Sequence, residues 1–311
     1  MIRAFALEPR LVATWARIEE FRFISDKFGL GTPRVLLEMP AFTKWKRAVF
    51  DAAAEIGLSQ QDLGRLAELF RAFQEHKCRR PSCRYDGQLA WLLNVETEFA
   101  RKPFGAILAT QNPRRNPGVL VPEQLLPTNE RWNCTGGATP ARTPEAFAQA
   151  VAEMLLNCDE LHFVDQYFRP DDSRHRDVLE AMMSVVALRD AWPRVIRVHC
   201  SDRTSLAFFE HHAARMAATL PSGAVVEFVR WAQRDQGEIL HNRYVLTDIG
   251  GVSFGVGLDA GRSGESDDVI LLPKPVYEKR WAQYARGEGF DCVDNPAAIR
   301  GQRVRGRPLN S

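Results

Sequence analysis

Apolar residues recur every three or four positions through much of the first hundred residues. Leu11, Trp15, Ile18, Phe21 and Ile24 predict one amphipathic helix from about Leu11 to Phe28, ending near Gly29 and Gly31. Pro33 and Pro40 then break the chain. A second helix is predicted over Phe42 to Ile56, and Ser59 stands where its hydroxyl would cap a third, carried by Leu63, Leu66, Leu69 and Phe70. Gln88 to Phe99 reads as helix and Gly105 to Thr110 as a short strand. Residues 1–104 are therefore expected to form a mainly helical domain, and the Pro-, Asn- and Gly-rich stretch 105–142 a connecting region.

From Thr143 the pattern changes. Thr143-Pro144-Glu145 is a helix start, with Thr as cap and Pro in the first turn. Short apolar strands then alternate with helices: strand Leu161 to Val164, helix Arg176 to Arg189, strand Val195 to Val198, helix Ser205 to Leu220 and strand Ala224 to Val229. This alternation predicts an α/β unit over 143–285, with a parallel sheet covered on both sides. Ile239 to Asp248 and Val252 to Leu258 read as a closing antiparallel hairpin turned at Gly250-Gly251, followed by a strand at Val269 to Leu272 and a helix at Tyr277 to Tyr284.

Composition adds limits. With 45% hydrophobic and 26% charged residues in 311, the chain is an ordinary globular one, and no apolar run is long enough to span a bilayer. The first ten residues lack the apolar core of a signal peptide, so a cytoplasmic location is expected and a membrane partner is not. Six scattered cysteines fit reduced thiols. His76, Cys78 and Cys83 could bind zinc, but no second cysteine pair lies nearby, and a basic solvated loop is the simpler reading. A net charge of +2 means that any phosphate-binding surface must arise from local clustering. Arg114-Arg115 and the basic tail over 286–311, with Arg300, Arg303, Arg305 and Arg307, are candidates for nucleic-acid contact or simply solvated charge.

The candidate chemistry lies at one sheet edge. Ligands of open α/β sheets bind beyond the carboxyl ends of the strands. Those ends carry Asp165 and Arg169, then His199, Ser201, Asp202 and Arg203, then Arg230 and Arg234; Asp165, Arg169, Arg203, Arg230 and Arg234 are the candidate substrate-binding residues. In an extended Ile239 to Asp248, alternation puts His241, Arg243 and Val245 on one face. An imidazole beside a fixed guanidinium suits phosphate chemistry.

His241-x-Arg243 followed by four residues and Asp248 resembles the H-x-K-x4-D signature of the phospholipase D superfamily, with Arg243 in place of Lys. The longer string H-N-R-Y-V-L-T-D-x-G-G-V, running into F-G-x-G-L-D, is similar to the phospholipase D-like domain at the C-terminus of MIT-domain proteins and to its bacterial relatives. The resemblance covers about Thr143 to Tyr284 and implies a phospholipase D-like sheet with flanking helices. It further implies a phosphodiesterase, expected here to be a nuclease on DNA or RNA, in which one histidine attacks phosphorus and a second, from another copy of the motif, protonates the leaving oxygen. By position, His241 would be the nucleophile or acid, Arg243 the phosphate clamp and Asp248 the support of the histidine. No metal or cofactor is required by that scheme, and an association with antiviral defence is a further implication of the likeness.

Two departures weigh on this reading. None of His76, His162, His175, His199, His211 or His212 is followed by the same spacing, so activity would need a homodimer pairing two His241 side chains. The Ser and Asn usual in active enzymes are not evident where Gly255, Gly257 and Asp259 stand. The alternative is an inactive module that docks on nucleic acid, acidic lipid or a protein, with the N-terminal domain as a further partner surface. A third reading makes His241 and Arg243 structural, paired with carboxylates such as Asp248 or Glu238.

Overall fold

Strand β1 (Arg3–Leu7) is the centre of the first unit, flanked by β2 (Arg34–Leu37) and, on its other side, by β4 (Ala106–Leu108). The computed structural model describes residues 1–80 and 82–302, and the chain divides into Met1–Gly136 and Gly137–Ser311. In the first unit β3 (Lys77–Cys78) and β5 (Val119–Leu120) complete a five-stranded, all-parallel sheet in the order β3-β2-β1-β4-β5. The expected mainly helical domain is thus corrected: it is α/β, and 105–142 contributes strands to it. The sequence predicts only β4 of these strands, within Gly105 to Thr110, because they are runs of two to five residues, buried on both faces, and so carry no alternation.

The helices of this unit are α1 (Pro9–Thr14), α2 (Ile18–Ile24), α3 (Phe42–Glu55), α4 (Gln60–Glu75) and α5 (Trp91–Arg101). The single helix expected over Leu11 to Phe28 is two, because the chain turns at Trp15 to Arg17; Leu11, Trp15 and Ile24 reach one core, while Ile18 and Phe23 are exposed. Ser59 does cap α4, in a capping box with Asp62. Phe5, Phe28, Trp45, Phe73 and Trp132 meet in this core, and the buried Trp45 indole donates to the Leu7 carbonyl at 2.7 Å.

The second unit is a nine-stranded sheet. Its elements are β6 (Gly137–Ala138), α6 (Pro144–Ala150), α7 (Ala152–Asn157), β7 (Glu160–Asp165), α8 (Ser173–Val186), β8 (Val195–Ser201), α9 (Leu206–Arg215), β9 (Val225–Ala232), β10 (Arg243–Thr247), β11 (Gly250–Phe254), β12 (Val269–Leu271), α10 (Lys274–Tyr284), β13 (Asp291–Cys292) and β14 (Ala297–Arg300). β7, β8 and β9 are parallel, as predicted; β10 runs antiparallel beside β7, then β11, β12 and β6 follow, and β13 and β14 both pair with β9. Arg300 therefore ends a strand, while Arg303, Arg305 and Arg307 lie outside the described residues.

The hairpin differs in detail from expectation. Its two-residue turn is Asp248-Ile249, and Gly250, at φ 134°, already begins β11 opposite Thr247. Gly251 serves packing instead: an added Cβ would lie 2.6 Å from Leu246 Cδ2 and 3.2 Å from Tyr277. The Tyr277 hydroxyl donates to the Thr247 carbonyl at 2.8 Å, fastening α10 to the hairpin.

Under α10 lies a buried polar chain. The Trp231 indole, which can only donate, gives a hydrogen bond of 2.9 Å to His199 Nδ1. The proton of His199 therefore sits on Nε2 and is donated to His162 Nδ1, also 2.9 Å away. His162 then carries its own proton on Nε2, where the nearest acid, Glu160 Oε2, is 3.7 Å distant. His199 lies parallel to Trp231, with 7° between the planes. Burial, reinforced by Arg197, pushes His162 down to about 3, and burial holds His199 well below the usual imidazole range. Above pH ~6.5 both rings are neutral folded or unfolded and stability is full; below it the unfolded chain takes up protons that the folded chain refuses. Unfolding free energy, measured by urea titration at pH 7.5, 6 and 5, is expected to fall below pH ~6.5 by on the order of 1.4 kcal/mol per pH unit for each histidine. A flat profile over that window would contradict the neutral chain.

Candidate phosphate site at the sheet edge

Two of the predicted residues, Arg203 and Arg243, converge on Tyr167. It follows Asp165 at the end of β7, is 43% exposed, and has two guanidinium carbons over its ring, Arg203 at 4.9 Å and Arg243 at 5.1 Å. Arg203 comes from the end of β8 and Arg243 opens β10, so two strands on opposite sides of β7 deliver them to one aromatic. The sequence reading had passed over Tyr167; its place directly after a central strand was the signal available.

Neither arginine is neutralised. Arg203 makes a long contact, 3.4 Å, to the Gln166 side-chain oxygen, and Arg243 Nε is buried without a hydrogen-bond partner. Neither has an ion pair among the described residues. Glu238, a proposed structural partner, is taken by Arg280, Lys279 and Gln283. Asp248, the other, accepts from the Asp159 and Glu160 amides at 2.7 and 3.0 Å and so holds the start of β7. It stands at the far end of β10, roughly 16 Å of strand from Arg243, and any support it gives His241 passes through that strand. His241 precedes β10, is exposed, and has no hydrogen-bond or ion-pair partner among the described residues.

The other predicted residues are engaged elsewhere. Asp165, in register with Arg243, accepts from the Tyr167 amide through Oδ1 and from the Leu258 amide through Oδ2, each at 2.9 Å. Arg169 is exposed and forks onto Asp171 at 3.1 and 2.6 Å. Arg230 is buried, ion-paired to Asp294 and donating to the Asp202 and Thr204 carbonyls. Arg234 holds Asp291 and the carbonyls of Glu288 and Phe290. His199, Arg230 and Arg234 therefore tie segments of the unit together.

The loop after β11 is held by acids. Asp267, 3% exposed, accepts from the Val256 amide at 3.0 and 3.1 Å and from the Gly257 amide at 3.5 Å, as Asp165 does from Leu258. Arg142 adds an outer clasp, reaching Asp259 at 2.6 Å and Glu265 at 3.1 Å, with Arg174 3.4 Å from Asp259. Among the described residues no cluster of three or more His, Cys, Asp or Glu side chains could hold a metal, and Cys78 is buried in β3 while burial pushes the Cys83 thiol up to about 11. No helix of the described residues is long and apolar enough to cross a membrane.

These anchors predict a contrast. Asp267→Ala or Asp165→Ala strands buried amides and is expected to cost about 2–3 kcal/mol of unfolding free energy, while exposed Arg169→Ala stays within about 0.5 kcal/mol of the parent. Denaturant titration reads both. Equal effects would dismiss the anchoring role.

No protein-family model matches the sequence, and no curated protein does. Among solved structures, an archaeal chromatin protein that binds DNA is similar at 13% identity and a TM-score of 0.28, over 55% of this chain and 59% of that one. Phosphatidylserine synthase of Haemophilus influenzae is similar at 12% identity and a TM-score of 0.29, over 54% of this chain and 47% of the synthase.

Proposed function

We propose that the second unit recognises phosphodiester groups of nucleic acid, with Arg203 and Arg243 as the phosphate clamp on Tyr167. The observation that carries this reading is the pair of guanidiniums on one exposed ring with no carboxylate among the described residues to neutralise either. Two like charges held together in this way are stabilised by an anion, and guanidinium meets phosphate oxygens in a bidentate fork. The arginines come from the carboxyl end of β8 and from the strand antiparallel to β7, where α/β sheets receive ligands. Nucleic acid offers phosphates in series, to which the exposed phenol of Tyr167 can add contact.

Cleavage is the second reading, favoured by one further observation: His241 is exposed and, among the described residues, unengaged two residues before Arg243. Through Nε2 or Nδ1 it can attack a phosphorus held by the clamp, provided a second copy of the chain brings its own His241 to protonate the leaving oxygen. The buried, neutral His162 and His199 belong to the packing under α10 and are unsuited to that role.

Binding to single- and double-stranded DNA and RNA, followed by fluorescence anisotropy over a salt series, tests both. Arg203→Ala and Arg243→Ala are each expected to weaken binding roughly ten-fold and to lower the slope of log K against log salt by about one, whereas Arg194→Ala, at the opposite strand ends, has no such effect. Undiminished binding in the double variant would refute the clamp. Under EDTA, cleavage by the parent chain and its loss in His241→Ala would establish the enzyme; uncut substrate with intact binding leaves the recognition module.

A further inference from the structure

The first unit contains an open cleft of about 550 Å³ beside edge strand β5, within the size range of small-molecule sites. What distinguishes it is the chemistry of its lining. Besides Asn112, three side-chain amides line it with their oxygens already committed: Gln124 Oε1 accepts from the Val121 amide at 3.1 Å, Asn116 Oδ1 from Gly118 at 2.9 Å, and Asn129 Oδ1 from Arg131 and Trp132 at 3.0 and 3.3 Å. Each amide is thereby oriented, and its NH2 group has no partner among the described residues. Arg115 and Arg131 also line the cleft, against one carboxylate, Glu130. Arg131 spends one N–H on the Gly105 carbonyl at 3.3 Å and lies over the Phe99 ring. Arg115 has no ion pair among the described residues.

The backbone displays Arg115 at a cost. Its φ is 52°, a left-handed conformation that side-chain-bearing residues rarely adopt. The loop around it is fixed by Asn112, whose Oδ1 accepts from the Asn116 amide at 2.9 Å and whose Nδ2 donates to the Asn116 carbonyl at 2.9 Å. At the loop's end Gly118 lies so close to Phe99 that an added Cβ would be 2.5 Å from its ring. A strained arginine on a loop pinned by Asn112, a second arginine and three amide NH2 groups without partners among the described residues make the lining rich in donors.

We propose that this cleft binds a phosphate-bearing small molecule of nucleotide size, its phosphate on Arg115 and Arg131 and its remaining oxygens on the amide NH2 groups. This site is independent of the phosphodiester clamp in the second unit. The test uses the full chain carrying R203A and R243A, so that the clamp does not contribute, with calorimetric titration of inorganic phosphate, ribose 5-phosphate, adenosine 5′-monophosphate and adenosine. The phosphate-bearing probes are expected to bind saturably and adenosine not, with Arg115→Ala weakening binding at least roughly ten-fold. Arg115→Gly should lose binding equally while unfolding at the same or a higher temperature, since glycine accepts φ 52° freely, which separates ligand loss from misfolding. Absence of saturable binding by every phosphate-bearing probe below about 10 mM, or binding unchanged in both Arg115 variants, would overturn the proposal.

Discussion

The second unit depends on two buried carboxylates taking up the backbone amides of a segment that has no ladder of its own. Residues 255–268 leave β11 as irregular chain; backbone carbonyls take the amides of Gly255, Ala260, Gly261 and Asp267, while those of Val256, Gly257 and Leu258 are met by side-chain acceptors. Asp267 meets those of Val256 and Gly257, and Asp165 meets that of Leu258. Because the second oxygen of Asp165 binds the Tyr167 amide, the same carboxylate fixes the turn after β7. The loop and the aromatic of the candidate site are thus set by one side chain at the end of a central strand.

Around this anchor the charges are sorted. Arg142, Arg230, Arg234 and Arg280 each have acids within ion-pair distance and tie segments together. Under α10 the two imidazoles are kept neutral by burial and joined to an indole, so they contribute packing and hydrogen bonds and no charge. Arg203 and Arg243 are the contrast: they share Tyr167 and meet no acid among the described residues. With a net charge of only +2 over the chain, an anion site has to be built by such local sorting.

Much of the second unit was legible in the sequence. Helix-length and strand-length apolar runs alternate from Thr143 onward, and the Thr143 cap, the three parallel strands and the antiparallel β10 follow from them. Arg203 and Arg243 could be singled out by their places at strand ends. Arg230 and Arg234 stand in equivalent places and are spent on Asp294 and Asp291, contributed by chain 64 and 57 residues away, which no local pattern announces. The first unit was less legible, since Arg3–Leu7 and Arg34–Leu37 are too short to show a period and too uniformly apolar to show a face.

By itself the sequence determined where helices and strands alternate, which glycine-bearing stretch folds back, and that a histidine and an arginine stand two residues apart at the start of a strand. Local spacing suffices for these, because side-chain direction within an element follows its own repeat. Only the tertiary structure decided which arginines keep an unspent charge, that the turn lies at Asp248-Ile249 while Gly251 makes room for Leu246 and Tyr277, and that Asp248 fastens β7 rather than contacting His241. Those outcomes depend on contacts between residues far apart in the chain, where burial and the demand that every buried amide find an acceptor choose among many polar side chains.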